Sequence, residues 1–124
     1  MLQDLVFNFA ENLDVTHKIW SDVTEFTKLI GSDKSIGYVN FLKNKPDNLI
    51  NAIYKDKYHS IDRQEAATVS SEFYEAVLND SKLLFDHHYV QAMQILAQIE
   101  QEPNAEPNAI GSLRSILNVM KSSI

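Results

Sequence analysis

Apolar side chains recur at helical steps along almost the whole chain. Leu2, Val6, Phe9, Leu13, Thr16, Trp20, Val23, Thr27 and Ile30 alternate steps of four and three, flanked by Leu5, Ile19 and Phe26. That spacing places them on one side of a helix. A single helix carrying all of them would be a rod of about 43 Å; the alternative is a break at Asn12-Leu13 with Asp14 capping a second helix. The pattern favours one helix, ended by Lys28 in its last turn and by Gly31, which suits a left-handed C-terminal cap.

Ser32 to Ser35 reads as a turn. Ile36, Val39, Phe41 and Leu42 predict a short helix that stops before Pro46, since the residue preceding proline is pushed out of the α region. Pro46-Asp47 suits a new helix start, with Leu49, Ile50, Ile53 and Tyr54 as its apolar face. Tyr58-His59-Ser60 is a connector, and Ser60 or Asp62 can cap the next helix.

The stretch Asp62 to Gln101 predicts two helices. Ala66, Ser70, Phe73 and Val77 stripe the first; Leu84, Phe85, His88, Ala92, Ile95, Leu96 and Ile99 stripe the second. Asn79-Asp80-Ser81 looks like the break between them, and the two stripes predict an antiparallel pair at the centre of the domain. Glu-Pro-Asn-Ala then occurs twice, over 102–109. Two prolines four apart exclude a continuing helix, although Pro107 can occupy the first turn of a last one. Ile110, Leu113, Leu117, Met120 and Ile124 stripe that helix, which Gly111 weakens by about 1 kcal/mol relative to alanine. No stretch reads as a strand. The expectation is an all-α fold, an irregular bundle of five or six helices forming one domain over 1–124, with 102–109 as a loop before the C-terminal helix.

Composition supports this picture and narrows the chemistry. A chain of 124 residues, 44% hydrophobic and 23% charged, has the make-up of a globular domain. With only three glycines and three prolines, long regular elements outcompete turns. The lack of cysteine removes disulfides, thiol nucleophiles and thiolate metal sites, and fits a reducing compartment. The opening residues lack a basic leader pattern, and no apolar run reaches the ~20 residues that span a bilayer. A cytoplasmic protein without a membrane partner is the expectation.

Catalytic and metal-binding patterns are missing. His87 and His88 are adjacent, so they point about 100° apart on a helix, and His88 falls on the apolar stripe of a core histidine. Asp14 and His17, three apart, make only half a ligand pair. No Glu-x-x-His repeat, serine elbow or glycine-rich phosphate loop occurs. The chain reads as a non-enzyme with no metal and no cofactor.

Charge is the sharper signal. The formal net charge of −6 is uneven: residues 1–33 carry −4, residues 34–63 carry +3 and residues 64–124 carry −5. In the basic middle, Lys43, Lys45, Lys55, Lys57 and Arg63 interleave with aromatics, a mixture used for phosphate and base contacts. Against that, Glu65, Thr68, Glu72, Glu75 and Asn79 form an acidic stripe opposite the apolar face, with no base among them. Like charges three or four apart destabilise a helix by a few tenths of a kcal/mol per pair, whereas such a stripe attracts and steers a basic partner. Asp22, Glu25 and Asp80 can extend it, and Phe7, off the main stripe and beside acids, can anchor an interface. The reading is a small acidic protein-binding inhibitor of the immunity-protein, antitoxin or anti-defence type. It would occlude a basic partner, a nuclease among the candidates, through Glu65, Glu72, Glu75, Asp22, Glu25 and Asp80. The alternative is a helical nucleic-acid-associated subunit acting through Lys43, Lys45, Lys55, Lys57 and Arg63.

Overall fold

The computed structural model describes residues 2–30, 44–45, 47–58 and 71–124. Among these residues there are four helices and no strand: α1 (Leu2–Ile30), α2 (Leu49–Tyr58), α3 (Ser71–Glu100) and α4 (Pro107–Ser123). The all-α class holds. Among the described residues the helices number four, not the expected five or six, and the clearest departure lies in α3. The expected short helix over 36–42, the cap at Ser60 or Asp62 and the Gly31 stop lie outside the described residues.

α1 is one unbroken helix of 29 residues. It contains no glycine or proline, and its mid-chain hydroxyls bond back to their own helix. Thr16 Oγ1 donates to the Asn12 carbonyl (2.6 Å) and Thr27 Oγ1 to that of Val23 (3.0 Å). Thr16 can therefore be fully buried without an unmet hydroxyl.

α3 corrects the expectation of two helices. Its 30 residues run through Asn79-Asp80-Ser81, so Phe73 and Val77 share one helix with the second stripe and no break separates them, while Ala66 and Ser70 lie outside the described residues. The three residues look like a loop by type, but no glycine or proline enforces one, and Val77, Ser81 and Phe85 keep the stripe in phase at steps of four. Ser81 is wholly buried, with Oγ donating to the Val77 carbonyl at 2.9 Å. A small polar residue with its hydroxyl satisfied inside the helix costs little, so propagation wins over termination.

The chain divides into two compact units, Met1–Trp20 with Leu84–Ile124, and Ser21–Leu83. In the first unit, the beginning of α1, most of α3 and all of α4 surround a core that includes Phe9, Ile19, Phe85, Leu96, Ile110 and Leu117. The two copies of Glu-Pro-Asn-Ala play different parts here. The first turns the chain out of α3, with Glu102 N–H donating to the Ile99 carbonyl and Ala105 N–H to that of Glu102. The second starts α4: Glu106 is its N-cap, accepting from Asn108 N–H at 2.9 Å, and Pro107 sits at the first helical position, where its missing N–H is harmless.

In the second unit, Val23, Phe26, Ile50, Tyr54 and Val77 are buried. α2 begins at Leu49, slightly beyond the Pro46-Asp47 start, because Asn48 is the residue that caps it. Asn48 Oδ1 accepts from Ile50 N–H at 2.8 Å, satisfying one of the orphan donors of the first turn.

Candidate interaction surface

Each carboxylate proposed from sequence and described in the structure has a setting, and the settings differ. Asp22 and Glu25 belong to α1 in the second unit and are engaged within the fold. Asp22 Oδ2 accepts from the backbone N–H of Leu49 (2.9 Å), the first residue of α2. Asn48 Nδ2 donates to both the Asp22 carbonyl and Glu25 Oε1, each at 3.1 Å. Glu25 Oε2 lies 3.7 Å from Lys45 Nζ. A carboxylate at a helix N-terminus also complements the partial positive charge there. Asp22 and Glu25 thus seat the start of α2. They share a polar notch of about 250 Å³ with Lys45, Asp47 and Asn48.

Glu75 is exposed on α3 and forms no ion pair among the described residues. Asp80 is half-buried within α3, not in a loop. Glu72 lies in the first turns of α3, whereas Glu65 falls outside the described residues. Of the alternative basic set, Lys45 is exposed and faces Glu25. Lys55 and Lys57 are on α2; Lys43 and Arg63 lie outside the described residues.

The first unit holds acids that sequence reasoning passed over. α4 turns Arg114, Asn118 and Lys121, spaced four and three apart on one face, toward α3. Arg114 Nη2 meets Glu100 Oε2 at 3.1 Å, Asn118 Oδ1 accepts from the Tyr89 hydroxyl at 2.8 Å, and Lys121 pairs with Asp86. Lys121 also lies 5.9 Å from the centre of the Tyr89 ring, within cation–π range. Both bases of α4 are thereby matched by carboxylates of α3. Asp4, Glu11 and Asp14 of α1 are exposed and form no ion pair among the described residues. Phe7 stands on the same outward side, 64% exposed. Spacings of Asp4, Phe7, Glu11 and Asp14 at three, four and three give the signal that could have found this face.

Among the described residues, His17, His87 and His88 do not converge on one site, and His59 lies outside those residues. His17 is exposed and tilted against Trp20, with ring centres 5.5 Å apart. His87 and His88 contact edge to face at 5.2 Å. His88 is half-buried with its Nδ1 shielded from water, and burial, aided by His87, lowers its pKa below the ordinary 6.5. Among the described residues no three histidine, aspartate or glutamate side chains group to hold a metal, and no helix is long and apolar enough to cross a membrane.

No protein-family model, no curated protein sequence and no solved structure matches this chain.

Proposed function

We propose that the chain is an acidic binding protein that occludes a basic protein partner, an inhibitor of the immunity-protein, antitoxin or anti-defence kind, and that it acts by binding, not catalysis. One observation carries this reading. In the first unit the bases of α4 are engaged by Asp86 and Glu100, while Asp4, Glu11 and Asp14 stand exposed along one side of α1 with Lys18 the single base in their row. Three acids against one base leave a net negative field there, and such a field steers a cationic surface into contact. Glu72 and Glu75 extend the candidate contacts to α3; Asp22 and Glu25, already holding α2, contribute less.

Capture from an extract of the native host tests the proposal, using the intact chain at low and high salt alongside two charge-reversed variants. One carries Asp4→Lys, Glu11→Lys and Asp14→Lys; the other carries Glu72→Lys and Glu75→Lys. The reading expects a basic protein retained at low salt, weakened by salt and lost from at least the first variant. Retention indifferent to both variants contradicts it. So does recovery of nucleic acid alone that survives both and is lost when Lys43, Lys45, Lys55 and Lys57 become glutamate.

A further inference from the structure

Within the first unit, one side of the α3–α4 pair is without net charge. Over 87–99, α3 contains no lysine, arginine, aspartate or glutamate. The acids that border this stretch, Asp86 and Glu100, are each answered from α4, by Lys121 and Arg114. Those two bases are the only charged residues of α4. The exposed side chains of both helices are therefore neutral. On α3, His87, Val90, Gln94 and Ala97 follow at steps of three, four and three and are exposed, opposite the buried Phe85, Ala92, Leu96 and Ile99. On α4, the exposed Ser115, Val119 and Ser122 lie opposite the buried Ile110 and Leu117. The seam between the helices, where Glu100, Tyr89 and Asp86 meet Arg114, Asn118 and Lys121, separates the buried row from the exposed row on each. Both exposed rows thus look out on the same side of the pair.

Charge selects what can cover that side. A chain of net charge −6 repels its own copies, and the repulsion is least where both surfaces are uncharged. A basic partner, by contrast, finds there no carboxylate that lacks a counter-ion. An interface between identical copies about a twofold axis also requires a patch that answers itself. Gln94, Ser115, Ser122 and neutral His87 are each both donor and acceptor, so each can pair with the same residue type from another copy, which a carboxylate or an ammonium group cannot do. Val90, 47% exposed, and Val119, 62% exposed, supply apolar contact, and depletion of charge is what marks the centre of protein interfaces. We propose that the outer α3–α4 face is the contact between two copies of this chain, paired face to face about a twofold axis. It is a surface separate from the exposed acids Asp4, Glu11 and Asp14 of α1, and it does not depend on the acidic-binder reading.

Sedimentation of the intact chain at low and high salt tests the proposal. Salt weakens capture of a basic protein, but here it screens the repulsion between copies and should raise the self-association constant by about tenfold or more. Gln94 lies within the neutral stretch and is exposed, so Gln94→Glu and Gln94→Lys change charge without disturbing the core. Each variant alone should lose the dimer by setting like charges against each other, and an equal mixture of the two should restore it. Should either variant lose helicity by circular dichroism, Ser115→Glu and Ser115→Lys, at an exposed site on α4, take their place with the same expectation. A wild-type chain that stays monomeric at high salt overturns the proposal, leaving the face to a different protein. A dimer that salt weakens, one that persists in both folded variants, or two monomeric variants that do not associate when mixed also overturn it.

Discussion

The two units draw on the same two long helices and differ in how a third is attached. In the second unit, α2 is seated by side chains reaching its first turn: Asp22 takes the Leu49 N–H, Asn48 the Ile50 N–H, and Glu25 and Lys45 close the set. In the first, α4 is capped by its own Glu106 and held to α3 through exposed pairs at Glu100 and Asp86. The charge follows the attachment. Ser21–Leu83 carries ten acids and eight bases, a net of −2; the remaining residues carry seven acids and three bases, a net of −4. Carboxylates that look alike in sequence thus divide into those that hold a helix start and those that face outward. Among the described residues, Asp4, Glu11 and Asp14 are outward carboxylates of the unit that holds only three bases.

The comparison can be broken most forcefully from the core of the first unit. Phe85 is wholly buried, and Phe85→Ala should destabilise the protein by about 3–5 kcal/mol in urea unfolding followed by circular dichroism. A loss below about 1 kcal/mol would mean that this core is not closely packed. Next comes the attachment of α2. Asn48→Ala removes the cap and the contacts to Asp22 and Glu25, and should cost about 1–2 kcal/mol. Hydrogen exchange should then quicken in α2 while amides of α4 stay protected; equal quickening in both would erase the distinction between the units. Smaller still, Arg114→Ala and Lys121→Ala should each cost under about 1 kcal/mol, because both pairs are substantially exposed. Their larger effect should be to deepen the negative field and strengthen binding of cationic peptides at low salt.

A last prediction concerns acid. Burial holds His88 neutral in the folded state below its ordinary pKa of 6.5, so on acidification the unfolded chain takes up this proton first. Stability should therefore fall as pH drops below about 6.5, until folded His88 also titrates. His88→Gln should remove that component of the slope in urea midpoints measured from about pH 7.5 to 5. An unchanged slope would assign the acid sensitivity to other groups.

Much of the architecture is legible in the sequence because helix signals are local. Pro107 marks the start of α4, and the steps of four and three through α1 carry it past Asn12 without a break. In α3, residue type and phase disagree: Asn79, Asp80 and Ser81 suggest a loop by type, and phase decides. Ser81 keeps the core stripe running, and its hydroxyl finds a carbonyl one turn back. The duties of Asp22 and Glu25 are not legible at all. Nothing in their own neighbourhood announces that Asn48, more than twenty residues on, will lie against them.

The most direct test of the whole account is amide chemical-shift mapping of the intact chain as a lysine-rich peptide is added at low salt. The account predicts perturbations centred on Asp4, Phe7, Glu11 and Asp14 of α1, with residues 48–58 unmoved. Shifts centred on α2, or spread evenly over the acids of both units, would contradict it.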